Sequence, residues 1–243
     1  MAVDWTDRGI VLALRPHGES DAILTLLTEH QGRHAGLVRG GAGRQHRGVL
    51  QPGNLIQAQW RARLENHLGS FTVEAMHSYG GAILAERTAL AGLSALCAMI
   101  DAILPEREPH PMVFAAALEL LAHLGDVHWG AHYVRWEMGL LREMGYGLDL
   151  RSCAATGTTD ELAFVSPRSG RAVSRDAAGP YRERLLVLPE FLRHAAEEDV
   201  EATDEDVRHG LALTGYFFDR NVFAPHRQEL PQARRRFVDL LAS

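Results

Sequence analysis

The chain has 243 residues, 46% of them hydrophobic, and a formal net charge of -6. That length allows one or two domains with a sizeable core, and no apolar run reaches the ~18 residues a membrane-spanning helix needs. All 25 basic residues are arginine, which excludes chemistry built on a P-loop, kinase or Schiff-base lysine, and two cysteines, Cys97 and Cys153, exclude a disulfide framework.

The N-terminus, Met1-Ala2-Val3-Asp4-Trp5, is acidic early and has no signal-peptide pattern, so a cytoplasmic protein with free thiols is expected. Short β-rich runs follow: Asp7 to Arg15, ended by Pro16-His17-Gly18; Asp21 to Thr28, ended by His30-Gln31-Gly32; and Arg33 to Arg39. After a glycine loop, Pro52-Gly53 marks a turn, Asn54 to Arg61 alternates apolar and polar, and Ser70 to Met76 closes the set beyond Leu68-Gly69. Five short strands in about 80 residues predict a small antiparallel barrel, and the OB-fold is the five-stranded barrel that commonly holds single-stranded nucleic acid.

Within that region, residues 30–64 carry Arg33, Arg39, Arg44, Arg47, Arg61 and Arg63 and no acid, a +6 window in an acidic chain. Its centre is Gly40-Gly41-Ala42-Gly43-Arg44-Gln45-His46-Arg47-Gly48. Glycine lets backbone approach a polyanion and arginine meets phosphate bidentately, so the window is a candidate grip on a nucleic-acid backbone. The competing reading is a solvated hairpin loop with no ligand. Trp60 is either a base-stacking platform or an inward core residue.

The pattern becomes helical at Gly80-Gly81. Ala82 to Leu104 is one helix, ended by Pro105; a second is opened by Pro109 and Pro111 and runs to about Leu124; a third spans His128 to Met144. An irregular insertion occupies residues 151–180, with a hairpin from Phe164 to Val173 around Pro167-Arg168-Ser169-Gly170. Thr203-Asp204-Glu205-Asp206 caps a helix from Val207 to about Arg220, and Leu230 to Leu241 is the last. The fold class is therefore α+β, with a barrel domain at 1–80 and a helical domain at 81–243. Residues 1–80 hold eight arginines against seven acids, whereas 81–243 hold 17 against 24, which suggests one nucleic-acid face and other faces for proteins.

Catalytic signatures are absent. His128 and His132 have a spacing that can hold a metal, which leaves a metal-dependent hydrolase as one alternative and a protein-only interaction scaffold as another. Histidines on a helix surface are the commoner cause of such a pair. Cys153 resembles half of a zinc knuckle, but two cysteines in the chain cannot make a four-cysteine site. No enzyme, metal or cofactor is expected.

Several segments resemble the bacterial RecO family of recombination mediators. They are Leu37-Val38-Arg39-Gly40-Gly41 running into Gly48-Val49-Leu50-Gln51-Pro52-Gly53-Asn54-Leu55, then Gly145-Tyr146-Gly147-Leu148-Asp149-Leu150 before Cys153, then Phe164-Val165-Ser166-Pro167-Arg168-Ser169-Gly170. The resemblance implies an N-terminal OB-fold and a C-terminal helical domain with a small zinc-finger-like insertion. It implies binding of single- and double-stranded DNA, strand annealing, and help in loading RecA, in the nucleoid-associated RecFOR pathway. Implied partners are RecR and the acidic C-terminal tail of single-stranded-DNA-binding protein. Some members hold zinc with four cysteines; only Cys153 stands here, and Ser174 lies where later thiolates are expected, so a zinc-free insertion is predicted.

An acidic tail ending in Phe needs an apolar groove beside arginine. The helix from His128 to Met144 offers Arg135 and Arg142, seven apart, with Trp136, Leu140 and Met144 as a neighbouring apolar stripe. Alternatively that stripe fills the domain core.

Overall fold

The computed structural model describes residues 3–44, 46–193 and 202–242, so Met1, Ala2 and the Gln45 of the glycine loop lie outside the described residues. The strands are β1 (Val3–His17), β2 (Asp21–Thr28), β3 (Arg33–Val38), β4 (Leu55–Ala62) and β5 (Ser70–His77). They close into a barrel of order β1-β2-β3-β5-β4, antiparallel except where β3 meets β5. This is the five-stranded OB-fold barrel. β1 serves two neighbours, pairing with β4 over Val3–Ile10 and with β2 over Gly9–His17. A register shift between Val11 and Ala13 marks where it bends from one to the other.

Alternation decides what goes inside. On β4, Ile56, Ala58 and Trp60 point inward while Gln57, Gln59 and Arg61 point out. The barrel core gathers Val11, Leu24, Leu26, Val38, Ile56, Ala58, Trp60 and Phe71, joined by Leu50 from the β3–β4 loop. That loop therefore plugs the barrel as well as connecting strands.

Helices follow as α1 (Tyr79–Ala82), α2 (Arg87–Ile103), α3 (Pro111–His123) and α4 (Trp129–Glu143). Then come β6 (Leu162–Val165), β7 (Ala172–Ser174), α5 (Arg175–Ala178), a 3-10 turn (Gly179–Arg184), β8 (Leu186–Val187), α6 (Asp204–Phe218) and α7 (Gln232–Ala242). The chain forms two compact units, one of Met1–Gly125 with Pro231–Phe237, the other of Asp126–Leu230 with Val238–Ser243. In the first, α2 lies against the barrel. Gly53 has φ 85° and sits so close to Leu93 that a Cβ would come within 2.8 Å of it, a position only glycine takes without strain. The Cys97 thiol points at the Val11 carbonyl at 3.5 Å, and burial pushes its pKa up to about 12, as for a small core residue.

In the second unit α4 and α6 pack side by side. Gly210 admits Val134, whose Cγ1 lies 2.7 Å from where a Cβ would stand. Thr203 and Asp206 form the expected capping box at the start of α6. The insertion is more than a hairpin: β8 adds to β6, giving a three-stranded sheet of order β7-β6-β8. Two residues of strand, Leu186 and Val187, are too few to show a period in the sequence.

Candidate nucleic-acid interface

The end of β3 and the end of β4 bring Arg39, Arg61 and Arg63 near one another on the barrel, while Arg44 and Arg47 stand on the β3–β4 loop. Leu37 of β3 pairs with Ser70 of β5, and Ser70 with Arg61 of β4, so three strand positions lie in a row. At about 4.8 Å between strands, Leu37 and Arg61 are roughly 10 Å apart on the outer face. Arg39 follows Leu37 by two residues, and Arg63 enters the β4–β5 loop. Arg39, Arg44, Arg47, Arg61 and Arg63 are all exposed. None of the five pairs with a carboxylate among the described residues. Asp4 is the acid that the β1–β4 register sets opposite Arg61.

The glycine loop is a series of hydrogen-bonded turns. Gly41 N donates to Val38 O, Gly43 N to Gly40 O, and Leu50 N to His46 O at 2.9 Å. Asp21 accepts from Gly40 N at 2.8 Å, and the Asn54 amide donates to the Gly48 and Val49 carbonyls. With Leu50 fixed in the core at one end and β3 at the other, Arg44 and Arg47 project from an anchored support.

Two expected contacts need correcting. Arg33 faces away from solvent: Nε donates to Leu104 O at 2.7 Å and Nη1 to Asp101 at 3.1 Å, with Glu106 at 3.6 Å. It fastens β3 to the end of α2. Trp60 is 1% exposed, stacks on Trp5 at 5.7 Å and donates Nε1–H to Leu68 O at 3.0 Å. A base has no access to that ring, so Trp60 is a core residue. Gly69 at φ 65° passes so near the indole that a Cβ would stand 2.4 Å from it, which is why the β4–β5 loop turns on glycine there.

His34 completes the aromatic cluster, edge-on to Trp60 at 4.7 Å and to Trp5 at 5.0 Å. It is 4% exposed, and neither ring nitrogen has a hydrogen-bond partner. Burial, and then the nearby Arg107 guanidinium, hold its pKa down at about 4. Arg107 carries no signal in the sequence that would mark it for this site. It stands in the connection before α3, at φ 62°, donates to the Glu65 and His67 carbonyls and lies over the Trp60 ring. It thereby holds the loop that carries Arg63. Nothing local in the sequence points to a partner some 40 residues away.

In the second unit, α4 separates the expected partner-binding residues onto two faces. Trp136 is 5% and Leu140 2% exposed, so the stripe they form fills the core and does not wall a groove. Consecutive residues are 100° apart on a helix, so Arg135 and Trp136 cannot share a face. The face of Arg135 and Arg142 instead contains Met138. These three line a groove of about 510 Å³ with Leu148, Leu150 and Leu192. Arg135 donates to the Phe191 carbonyl at 3.0 Å and lies over the Phe191 ring at 5.5 Å, while Arg142 is exposed at the groove. The groove thus joins the apolar side chains of Met138, Leu148, Leu150 and Leu192 to the guanidinium groups of Arg135, Arg142 and Arg151, with the Asp149 carboxylate also on its wall.

His128 stands at the residue before α4, with no side-chain capping bond, and His132 follows one turn on, both exposed. Among the described residues one group has metal-ligand proximity, Asp7, Glu29 and His30, whose ligand atoms lie within 4.8 Å of one another. Arg8 already takes both Glu29 oxygens, at 2.5 and 2.7 Å, and His30 donates its amide to Asp7 at 2.8 Å. The group is an ion-pair cluster. No helix among the described residues is long and apolar enough to cross a membrane.

Comparison with known proteins gives consistent matches along the whole chain. The family described as Recombination protein O N terminal matches residues 1–79, and Recombination protein O C terminal matches residues 84–229. A DNA repair protein RecO of Rhodospirillum rubrum is 50% identical, covering 98% of this chain and 96% of that protein. The DNA repair protein RecO of Rhodospirillum centenum is 52% identical over 98% of this chain and 94% of its own length. That of Methylobacterium nodulans is 49% identical over 98% of each.

Proposed function

The chain belongs to the RecO family of DNA repair proteins, and from that premise we propose that it is a recombination mediator that works by binding, without catalytic turnover. In this reading the barrel grips single- and double-stranded DNA, complementary strands are annealed, and RecA is helped onto DNA covered by single-strand-binding protein. The observation that carries the reading is the set of five exposed arginines on β4 and in the β3–β4 and β4–β5 loops, unpaired with any described carboxylate. Such a set neutralises phosphates without reading bases, as a protein handling many sequences must. Arg33 and Trp60 support the face from within and do not touch DNA. The test is annealing of two complementary oligonucleotides, bare and coated with single-strand-binding protein. The protein is expected to accelerate both; no acceleration of either removes the mediator reading.

For partners, the reading gives the α4 groove to the acidic tail of single-strand-binding protein. The tail's terminal ring would lie on Met138, Leu148 and Leu192, and its carboxylate would meet Arg142 or Arg135. A labelled tail peptide should bind the Arg135→Ala, Arg142→Ala double variant at least roughly tenfold more weakly, since a charge-assisted hydrogen bond contributes about 1.5–3 kcal/mol. Equal binding by a normally folded variant would place the groove elsewhere. In this reading RecR is a further partner.

A further inference from the structure

The insertion sheet, within the second unit, ends in a basic surface of its own. β6 pairs antiparallel with both neighbours: Val165 faces Ala172 of β7 and Leu186 of β8. The β6–β7 turn and the approach to β8 therefore leave the sheet at the same end. Arg168 lies in that turn and Arg184 two residues before β8, both exposed. Arg220 reaches the same turn, donating Nη1–H to the Pro167 carbonyl. None of the three pairs with a carboxylate among the described residues.

An aromatic ring accompanies them. Residues Gly179–Arg184 form a 3-10 turn, in which side chains three apart eclipse one another. Tyr181 therefore shares a face with Arg184. Glu183 shares a different face with Pro180, and Arg182 turns a third way to lie over the Phe164 ring at 5.6 Å. Tyr181 is 61% exposed, so its ring has room for a planar partner.

We propose that Tyr181, Arg168, Arg184 and Arg220 form a second contact for single-stranded nucleic acid, the ring stacking on one base and the guanidinium groups holding flanking phosphates. An unstacked base is what a solvent-facing ring accepts, whereas the bases of a duplex already stack on each other. An acidic peptide is the weaker occupant, because its side chains need a socket to bury them and this surface is a ring on an open turn. The proposal rests on the DNA-binding reading above and deepens it, because annealing requires that two strands be held.

The test uses the full chain, ultraviolet crosslinking to an oligo-dT carrying bromodeoxyuridine, and mapping of the crosslinked peptides. Crosslinks are expected at two places, the barrel's 39–63 segment and residues 179–187. Those at 179–187 should persist in an Arg44→Ala, Arg47→Ala variant. In that background Tyr181→Ala should weaken the remaining oligonucleotide binding roughly tenfold, while Tyr181→Phe, which keeps a stacking face, stays within about twofold. Crosslinks confined to the barrel would overturn the second contact and leave the DNA-binding reading standing. Crosslinks nowhere would overturn both. A Tyr181→Ala variant that loses an acidic peptide but keeps the oligonucleotide would hand the surface to a protein partner and end the proposal.

Discussion

His34 shows how one residue's environment sets a measurable property of the whole barrel. The ring is enclosed by Trp5, Trp60 and Phe71, with no hydrogen-bond partner to share a charge. Its folded-state pKa of about 4 lies below the ordinary histidine value of 6.5. Between those values the unfolded chain binds a proton that the folded chain refuses, so stability falls as pH drops through that window and levels off below it. The full effect has an upper bound of about 3 kcal/mol, from 1.36 kcal/mol per pKa unit. Denaturant unfolding from pH 7 to pH 4 should show a His34→Phe variant losing less stability than wild type by up to that amount. Parallel pH profiles would contradict the assignment. A histidine at an inward strand position is visible in the sequence, but three aromatic neighbours from three other strands are not. Arg33 is the same lesson in charge: it sits in the basic window by number, yet Asp101 and the Leu104 carbonyl, some 70 residues away, decide where it points.

At the scale of elements, legibility follows the strength of the local period. β2 spans Asp21–Thr28, the bounds that the β-rich run and its closing turn residues indicate; Leu24 to Thr28 are buried on both faces, and Gly32 at φ 70° turns the chain after it. β1 is longer than its β-rich run because it extends to pair with a second neighbour. α4 spans Trp129–Glu143, one residue inside each expected bound, and Gly145 at φ 83° ends it. Periodicity does not convey which side of α4 is buried. Two apolar residues four apart, Trp136 and Leu140, look alike whether they serve a core or a partner, and the packing of α6 against α4 decides between the two. The insertion is legible as a hairpin and opaque as a sheet, and it is tied by backbone bonds: Cys153 N to Thr158 O and Ala154 N to Ala172 O, each 2.7 Å, with the Ser174 amide directed at Cys153 Sγ at 3.3 Å. If those bonds and the packing of Phe164 and Val165 hold it, a chelator should leave the melting temperature of the purified protein unchanged. A fall of several degrees, or stoichiometric zinc on metal analysis, would contradict the zinc-free expectation.

For the whole molecule the notable balance is between an acidic chain, net -6, and a local basic face. Long-range electrostatics oppose the approach of a polyanion, so binding must come from groups inside a Debye length, about 8 Å at physiological salt. That makes affinity depend steeply on salt and on a few side chains. The most direct measurement is therefore the salt dependence of single-strand oligonucleotide binding, for wild type and for a variant with Arg39, Arg44, Arg47 and Arg61 replaced by Ala. Removing one phosphate-binding guanidinium should flatten the slope of log affinity against log salt by roughly 0.7, with all sequences weakened alike. A correctly folded variant that keeps both the wild-type slope and the wild-type affinity would contradict the barrel as the DNA-binding face.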